Sequence, residues 1–405
     1  MASGDTDYDI NLFDYRQSHA MWDQMAEMRE RCPVARLQDG LKYTARYTDV
    51  QRVFRDSQHF VTKGGFRAPG VEIPEDELLM AEMDPPGHPP LRKALLGAFN
   101  IAVARSAEEF ARQFVEGRLA GIDAAGRGDL VAEISVPLPI AVTTHVLGVP
   151  TDDIQQIADW VFALLHTDWP AYGVRDHTRP EEHQGLSGSA PELCSYFDAM
   201  IADRVDNDRQ DLISEMLRIE VDGEKLRHQR VRTLALNFIT GGISTTMLIS
   251  NLLHRLLTDD SLADTLRRQP DLIPVAVEES LRVEPPVLFL CRTATQTTEI
   301  GGVTIEAGDR VVAGIASANR DETVYPDAAT FSLDRDHPPT HLAFGGGAHL
   351  CLGNKMARME AAVVIETVFA HYRPGELRLA PDFHYELMPH FIEFGPERLD
   401  VVVDR

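Results

Sequence analysis

The run Phe344-Gly-Gly-Gly-Ala-His-Leu-Cys351-Leu-Gly353 constrains the fold of this chain more than any other stretch. Gly345, Gly346 and Gly347 permit positive φ and let backbone come close to a flat ligand. Gly353 leaves little bulk beside the sulfur. A helix is predicted directly afterwards, Asn354-Lys-Met-Ala-Arg-Met-Glu-Ala-Ala-Val-Val-Ile-Glu-Thr-Val-Phe. Its first N–H groups and its dipole favour an anion at its start, and so a thiolate at Cys351. The plain alternative is a small cysteine in a tight turn. The spacing Phe-x-x-Gly-x-His-x-Cys-x-Gly argues against it.

Helical periodicity or strong helix formers dominate the rest of the chain. Helices are expected near 18–31, 88–99, 103–122, 152–166, 190–206, 227–257, 260–268, 271–283 and 352–372. Strands are short: Thr298–Ile300 and Val303–Glu306 about a Gly-Gly turn, Val311–Ala313, and a candidate at Leu41–Tyr47. Segments 62–74 and 320–347 are rich in Gly and Pro or carry scattered prolines, and read as irregular. No internal repeat or clear linker appears. The expectation is one domain, 1–405, mainly α with small β-sheets.

Composition narrows the function. The formal net charge of −24 disfavours nucleic acid and anionic membranes as partners. No basic, apolar leader is visible, and no stretch approaches the roughly 18–20 uninterrupted apolar residues of a membrane span. A cytoplasmic location and a monomer are expected. Cys32, Cys194, Cys291 and Cys351 form no CxxC pair, so neither a disulfide framework nor a zinc site is suggested.

The cysteine run resembles the haem-binding loop of cytochrome P450s, especially the soluble bacterial kind. The resemblance implies a triangular prism of about twelve helices around one haem b, with Cys351 as axial ligand to the iron. Phe344 would pack beside the sulfur, His349 would bond a haem propionate, and Gly353 would leave room. Four other segments stand at the family's expected places. Asp84-Pro-Pro-Gly-His88-Pro-Pro-Leu-Arg92 looks like the family's helix C. Its prolines suit a first helical turn, and its His88 and Arg92 would reach a propionate. Arg292 would meet the other propionate. Glu279-Ser-Leu-Arg282 matches the family's ExxR pair, for which Arg335 and Arg320 are both candidate third members. The fourth segment is a glycine-broken helix.

That helix is Leu234-Ala-Leu-Asn-Phe-Ile-Thr-Gly241-Gly242-Ile-Ser244-Thr245-Thr246-Met-Leu-Ile. Two glycines inside a helix cost roughly 1 kcal/mol each against alanine, which suggests a bulge or a close ligand. In P450s the helix at this place carries Ala/Gly-Gly-x-Asp/Glu-Thr. Thr245 matches the threonine that holds water and directs protons. Ser244 replaces the acid, so protons must arrive through water or another group. Three readings are open: an altered relay, peroxide as oxidant, or a Ser244 contact with a polar substrate group. Ser244 as a plain packing residue is equally compatible with the third.

The implied reaction is insertion of one atom of O2 into a small hydrophobic substrate, by hydroxylation or O-dealkylation. A terpenoid or aromatic compound is the suspected substrate. A peroxide-driven or non-oxygenating haem protein is the alternative. Family position places Phe162, Leu165, Trp169, Leu236, Asn237, Thr240, Gly241, Val287, Leu288, Phe289, Phe391 and Phe394 at the substrate pocket. Asn237, Thr240 and Ser244 are candidates to meet one substrate oxygen. Electrons from NAD(P)H would come through a separate reductase and an acidic ferredoxin. That ferredoxin would be steered to Arg92, Lys93, Arg105, Arg112, Lys355 and Arg358.

Overall fold

The computed structural model describes residues 7–12, 14–18, 20–65, 73–166, 187–188, 190–335, 340–390 and 392–404, with the side chains at 39, 101–105 and 162–166 left aside. The chain forms two compact units. One comprises Met1–Val61, Ala111–Leu138 and Ser244–Arg405; the other comprises Thr62–Phe110 and Pro139–Ile243.

The first unit holds the sheets that position the cysteine loop. Its main sheet runs Val34–Arg36, Lys42–Thr44, Arg310–Ala313, Leu290–Ala294, Phe60–Val61. Only the pairing of Lys42–Thr44 with Arg310–Ala313 is parallel. Arg292 lies opposite Val311, and its strand also pairs with Phe60–Val61, so Arg292 sits on an interior strand. The hairpin Thr298–Ile300/Val303–Ile305 turns on Gly301 and Gly302, at φ 56° and 84°. Both angles are in the left-handed region that a two-residue turn of this type requires. A third sheet pairs Leu377–Leu379, Asp400–Val403 and Arg127–Asp129.

The helix Tyr47–Arg55 packs Val50, Val53 and Phe54 into a core with Phe60, Ile300, Val311, Ile315, Tyr325 and Leu342. The helix Ile273–Val283 packs against the cysteine helix Asn354–His371. The predicted segments 88–99 and 103–122 are one helix, His88–Ala125, with Pro89 and Pro90 in its first turn. In the second unit, Pro191–Asp206 and Leu212–Leu217 pack on His228–Gly241. Asp211 caps Leu212–Leu217 by accepting from the Ser214 N–H.

Several elements were not foreseen, among them the helix Leu212–Leu217 and the strands of the third sheet. Tyr47–Arg55 follows a short strand too closely to stand out. Pro137–Leu147, entered through a π-turn at Val131–Ser135, is apolar all round and carries no amphipathic stripe. The small hairpin Glu220–Val221/Glu224–Lys225 is charged and turns on Asp222-Gly223. Counted by average composition rather than by uninterrupted run, His228–Thr258 is long and apolar enough to cross a membrane. Within its apolar window, 67% is buried inside the molecule.

Candidate active site

Cys351 is partly exposed, three residues ahead of its helix. Its N–H donates to the Phe344 carbonyl at 2.9 Å, and its own carbonyl accepts from the Asn354 side-chain amide at 2.5 Å. These bonds fold 344–351 into a closed loop. Gly345 and Gly347 take φ of 68° and 62°. A Cβ on Gly347 would lie 2.3 Å from the Phe54 carbonyl oxygen, so the loop seats on the end of the helix Tyr47–Arg55 only with glycine there. A Cβ on Gly353 would meet nothing within 4 Å, which leaves space next to the sulfur.

Phe344 is framed from two sides. The Arg358 guanidinium stacks over its ring at 4.5 Å, and the His341 ring centroid lies 5.7 Å away. Both frame residues reach Glu278: Arg358 donates at 2.5 and 2.9 Å, and His341 Nε2 lies at 3.3 Å. Burial alone would raise the Glu278 pKa, but the bonds from His341 and Arg358 win and bring it to about 2.

Its neighbour Glu279 holds the meander instead. All five N–H donors of Arg282 are used: two bonds to Glu279 at 2.8 and 2.7 Å, and others to the carbonyls of Asn319, Ala328 and Thr330. Arg335 adds a 2.8 Å bond to Glu279 and binds the carbonyls of Pro326, Asp327 and Thr330. The third member is therefore Arg335. Arg320 stacks on Trp22 at 3.7 Å and donates to the Val283 carbonyl. Burial favours a protonated Glu279, yet the two arginines keep its pKa below the usual range.

Arg292 is buried, with its guanidinium 5.4 Å from the Phe54 ring and a 2.8 Å bond to the Cys291 carbonyl. Phe54 thus touches both the glycine loop and Arg292. His349 is half-buried in the short turn Gly347–His349. Thiol, imidazole, guanidinium and an unfilled edge at Gly353 form a donor set that fits a haem: soft sulfur for iron, cations for carboxylates. In the second unit His88 is fully buried at the start of its helix and Arg92 is half-buried one turn on. Burial, and then Arg92, lower the His88 pKa.

The glycine-broken helix is interrupted at Gly242, whose N–H donates to the Ile239 carbonyl at 3.1 Å, three residues back rather than four. Thr245 is buried, and among the described residues no hydrogen bond engages its hydroxyl. By contrast Thr143, Thr144 and Thr367 each bond back to the carbonyl four residues earlier. Ser244 donates to Glu393 Oε1 at 2.9 Å. Nothing in the sequence pattern indicated Glu393, which lies 149 positions away. Glu360, on the cysteine helix, was missed too; it is fully buried, and burial raises its pKa to about 8.

The candidate pocket residues divide. Val287 pairs with Glu393 in an isolated bridge and keeps some surface, whereas Leu288 and Phe289 are buried in the core. Leu236 is fully buried. The Asn237 side-chain oxygen Oδ1 accepts from the Met80 N–H at 3.0 Å, and the Thr240 hydroxyl donates to the Leu236 backbone carbonyl at 3.0 Å. With Ser244 held by Glu393, the Thr240 and Ser244 hydroxyls are engaged as donors, while Asn237 is engaged through its acceptor oxygen. Gly241 is exposed, with nothing within 4 Å of an added Cβ. Phe394 packs edge-on against Trp22. Phe162 and Leu165 lie on Ile154–His166, but their side chains, like Trp169 and Phe391, lie outside the described residues.

The family model for cytochrome P450 matches residues 9–379. The chain belongs to the cytochrome P450 family. This P450 is 33% identical over 393 residues to erythromycin C-12 hydroxylase of Saccharopolyspora erythraea, covering 95% of this chain and 94% of that protein. It is 31% identical over 396 residues to a steroid C26-monooxygenase of Mycobacterium tuberculosis, covering 97% and 96%. A mutant of P450 EryK in complex with erythromycin B superposes with a TM-score of 0.85 at 31% identity, over 96% of this chain and 97% of that one. The fold is the P450 fold, and the protein is a haem-dependent monooxygenase.

Proposed function

We propose that Cys351 ligates the haem iron and that the whole chain, 1–405, is one catalytic domain hydroxylating a hydrophobic substrate in the cytoplasm. The observation that carries this is the closed loop 344–351, which holds a partly exposed sulfur at a helix start with open space beside it. Haem with a thiolate ligand supplies the activation of O2. His88, Arg92, Arg292 and His349 would hold its carboxylates, and Phe344, fixed by Arg358 and His341, would pack against the sulfur. Thr245 would hold and orient a proton-carrying water with its uncommitted hydroxyl. The relatives' names favour a substrate of steroid or erythromycin size over the smaller terpenoids and aromatic ethers first expected, and hydroxylation over O-dealkylation.

Electrons would arrive from NAD(P)H through a separate reductase and an acidic ferredoxin. Of the cations offered for that docking, two are committed to carboxylates. Arg112 is paired with Glu366 at 2.9 Å and Arg358 with Glu278, while Lys355 and Lys93 stay exposed. A peroxide-driven or non-oxygenating role has less support, since its motive was a bare serine at 244 and that serine is bonded to a buried carboxyl.

The test is a spectral-shift screen with steroids, erythromycin-like compounds, terpenoids and phenolic ethers, followed by turnover under labelled O2. One labelled oxygen per product is expected; product without label overturns the reading. In the same assay Thr245→Ala is expected to keep substrate binding but send most reducing equivalents to hydrogen peroxide. Unchanged product per NAD(P)H would remove Thr245 from this role.

A further inference from the structure

Ser244, Met247 and Asn251 fall at i, i+3 and i+7, one stripe of the helix Ile243–Thr258. Each meets the same C-terminal segment. Ser244 bonds Glu393, Asn251 donates to the Phe394 carbonyl at 3.0 Å, and Met247 Sδ would lie 2.8 Å from a Cβ on Gly395. The segment is fixed from its other side as well. Leu288 N–H donates to the Ile392 carbonyl and Phe394 N–H to the Pro286 carbonyl. Glu393 is therefore held between the helix and the segment 286–288, and it is only 8% exposed.

We propose that Glu393, acting through Ser244, replaces the acid that this helix lacks at position 244. The inference rests on the monooxygenase reading above. Burial raises the Glu393 pKa and the Ser244 hydroxyl opposes it, leaving a value of about 7. The carboxyl is thus poised to hold and release a proton near neutrality. Other titratable groups on the surrounding elements are differently engaged. Glu284 is bound to Arg255 at 2.5 Å, His254 stacks near Tyr385 ten residues along the helix, and His390 precedes the segment.

The proton step balances simply. Protonated Glu393 gives its proton to Ser244 Oγ, and Ser244 gives its own hydroxyl proton onward to a water beside Thr245. The hydrogen bonds reverse direction, Glu393 is left as carboxylate, and solvent returns one proton to it. Monooxygenation consumes two protons and two electrons for each O2, with one oxygen going to substrate and one to water. The relay supplies the protons, and the redox chain supplies the electrons. Glu393 acts through Ser244 and is a positioning residue in this scheme; Ser244 is the group that passes the proton onward.

Two measurements test it. Infrared titration of the resting protein should show a carboxylic C=O band, lost in Glu393→Gln, shifted in Ser244→Ala, and disappearing as pH rises through neutrality. This readout needs no turnover, so it stands even if no substrate is found. With a working substrate, Glu393→Gln should lower product per NAD(P)H roughly tenfold and remove the pH dependence of coupling, with Glu393→Asp restoring part of both. Binding affinity should stay within about twofold. Full coupling in Glu393→Gln, with wild type producing oxygenated product, overturns the relay and leaves the monooxygenase assignment intact. Loss of affinity with coupling retained also overturns it, and makes Glu393 a substrate contact.

Discussion

Cys351→Ala is expected to abolish oxygenation while leaving the fold in place. The residue's structural bonds are made by its backbone, to Phe344 and from Asn354, and survive loss of the sulfur. The proposed thiolate ligand would be lost. A thousandfold or greater fall in turnover, about 4 kcal/mol at the transition state, is the expected scale. Far-UV circular dichroism should match wild type. The reduced, carbon-monoxide-bound protein should lose the absorption band typical of thiolate-ligated haem. Cys351→Ser should not rescue, because a hydroxyl is a harder and less electron-donating ligand. The other cysteines provide the control. Burial raises the pKa of Cys194 and Cys291, and the Cys32 thiol is buried and donates to the Val34 carbonyl. Alanine at those three positions should keep the band. Retention of the band in Cys351→Ala would remove Cys351 as ligand.

How much of this was legible in the sequence follows from the range of each interaction. The cysteine loop is local and specific, so its spacing exposes the family resemblance. The His88/Arg92 turn, the Glu279/Arg282 pair and Arg292 are singled out only by that resemblance; alone they read as a capped helix, a common surface pair and an ordinary strand charge. The choice between Arg335 and Arg320 depends on which one the meander folds back toward Glu279, and both sit at plausible places in the chain. Glu278 was overlooked because it stands next to Glu279, yet the two hold different partners: Glu278 secures the cysteine helix through Arg358, and Glu279 secures the meander. Family position gives Glu393 itself no role. It places the run Phe391-Ile-Glu-Phe-Gly395 at the substrate pocket for its phenylalanines, and only the contact with Ser244 singles out the glutamate. The pocket positions were least legible, because exposure of Leu236 or Phe289 is decided by tertiary packing.

The Glu279 network sets the second large effect. Arg282→Ala should cost about 3–5 kcal/mol, because it leaves a buried carboxylate with one partner removed and strips the Asn319 and Ala328 carbonyls of the guanidinium, leaving Thr330 with Arg335 alone. Arg282→Lys keeps the charge but cannot fork to two carboxylate oxygens and reach three carbonyls, so it should recover only part of the loss. Arg335→Ala should cost less, since Arg335 lies nearer solvent and Glu279 would keep Arg282. Unfolding of a cofactor-bearing chain with two compact units is not two-state, so the comparison is made by urea midpoints followed both by circular dichroism and by haem release. The expected order of midpoints is wild type, Arg335→Ala, Arg282→Lys, Arg282→Ala. Haem should leave the Arg282→Ala protein at lower urea than the helices melt, because the meander and the cysteine helix are held through adjacent glutamates on one helix. Coincident transitions with unchanged midpoints would mean that the network does not support the cysteine loop.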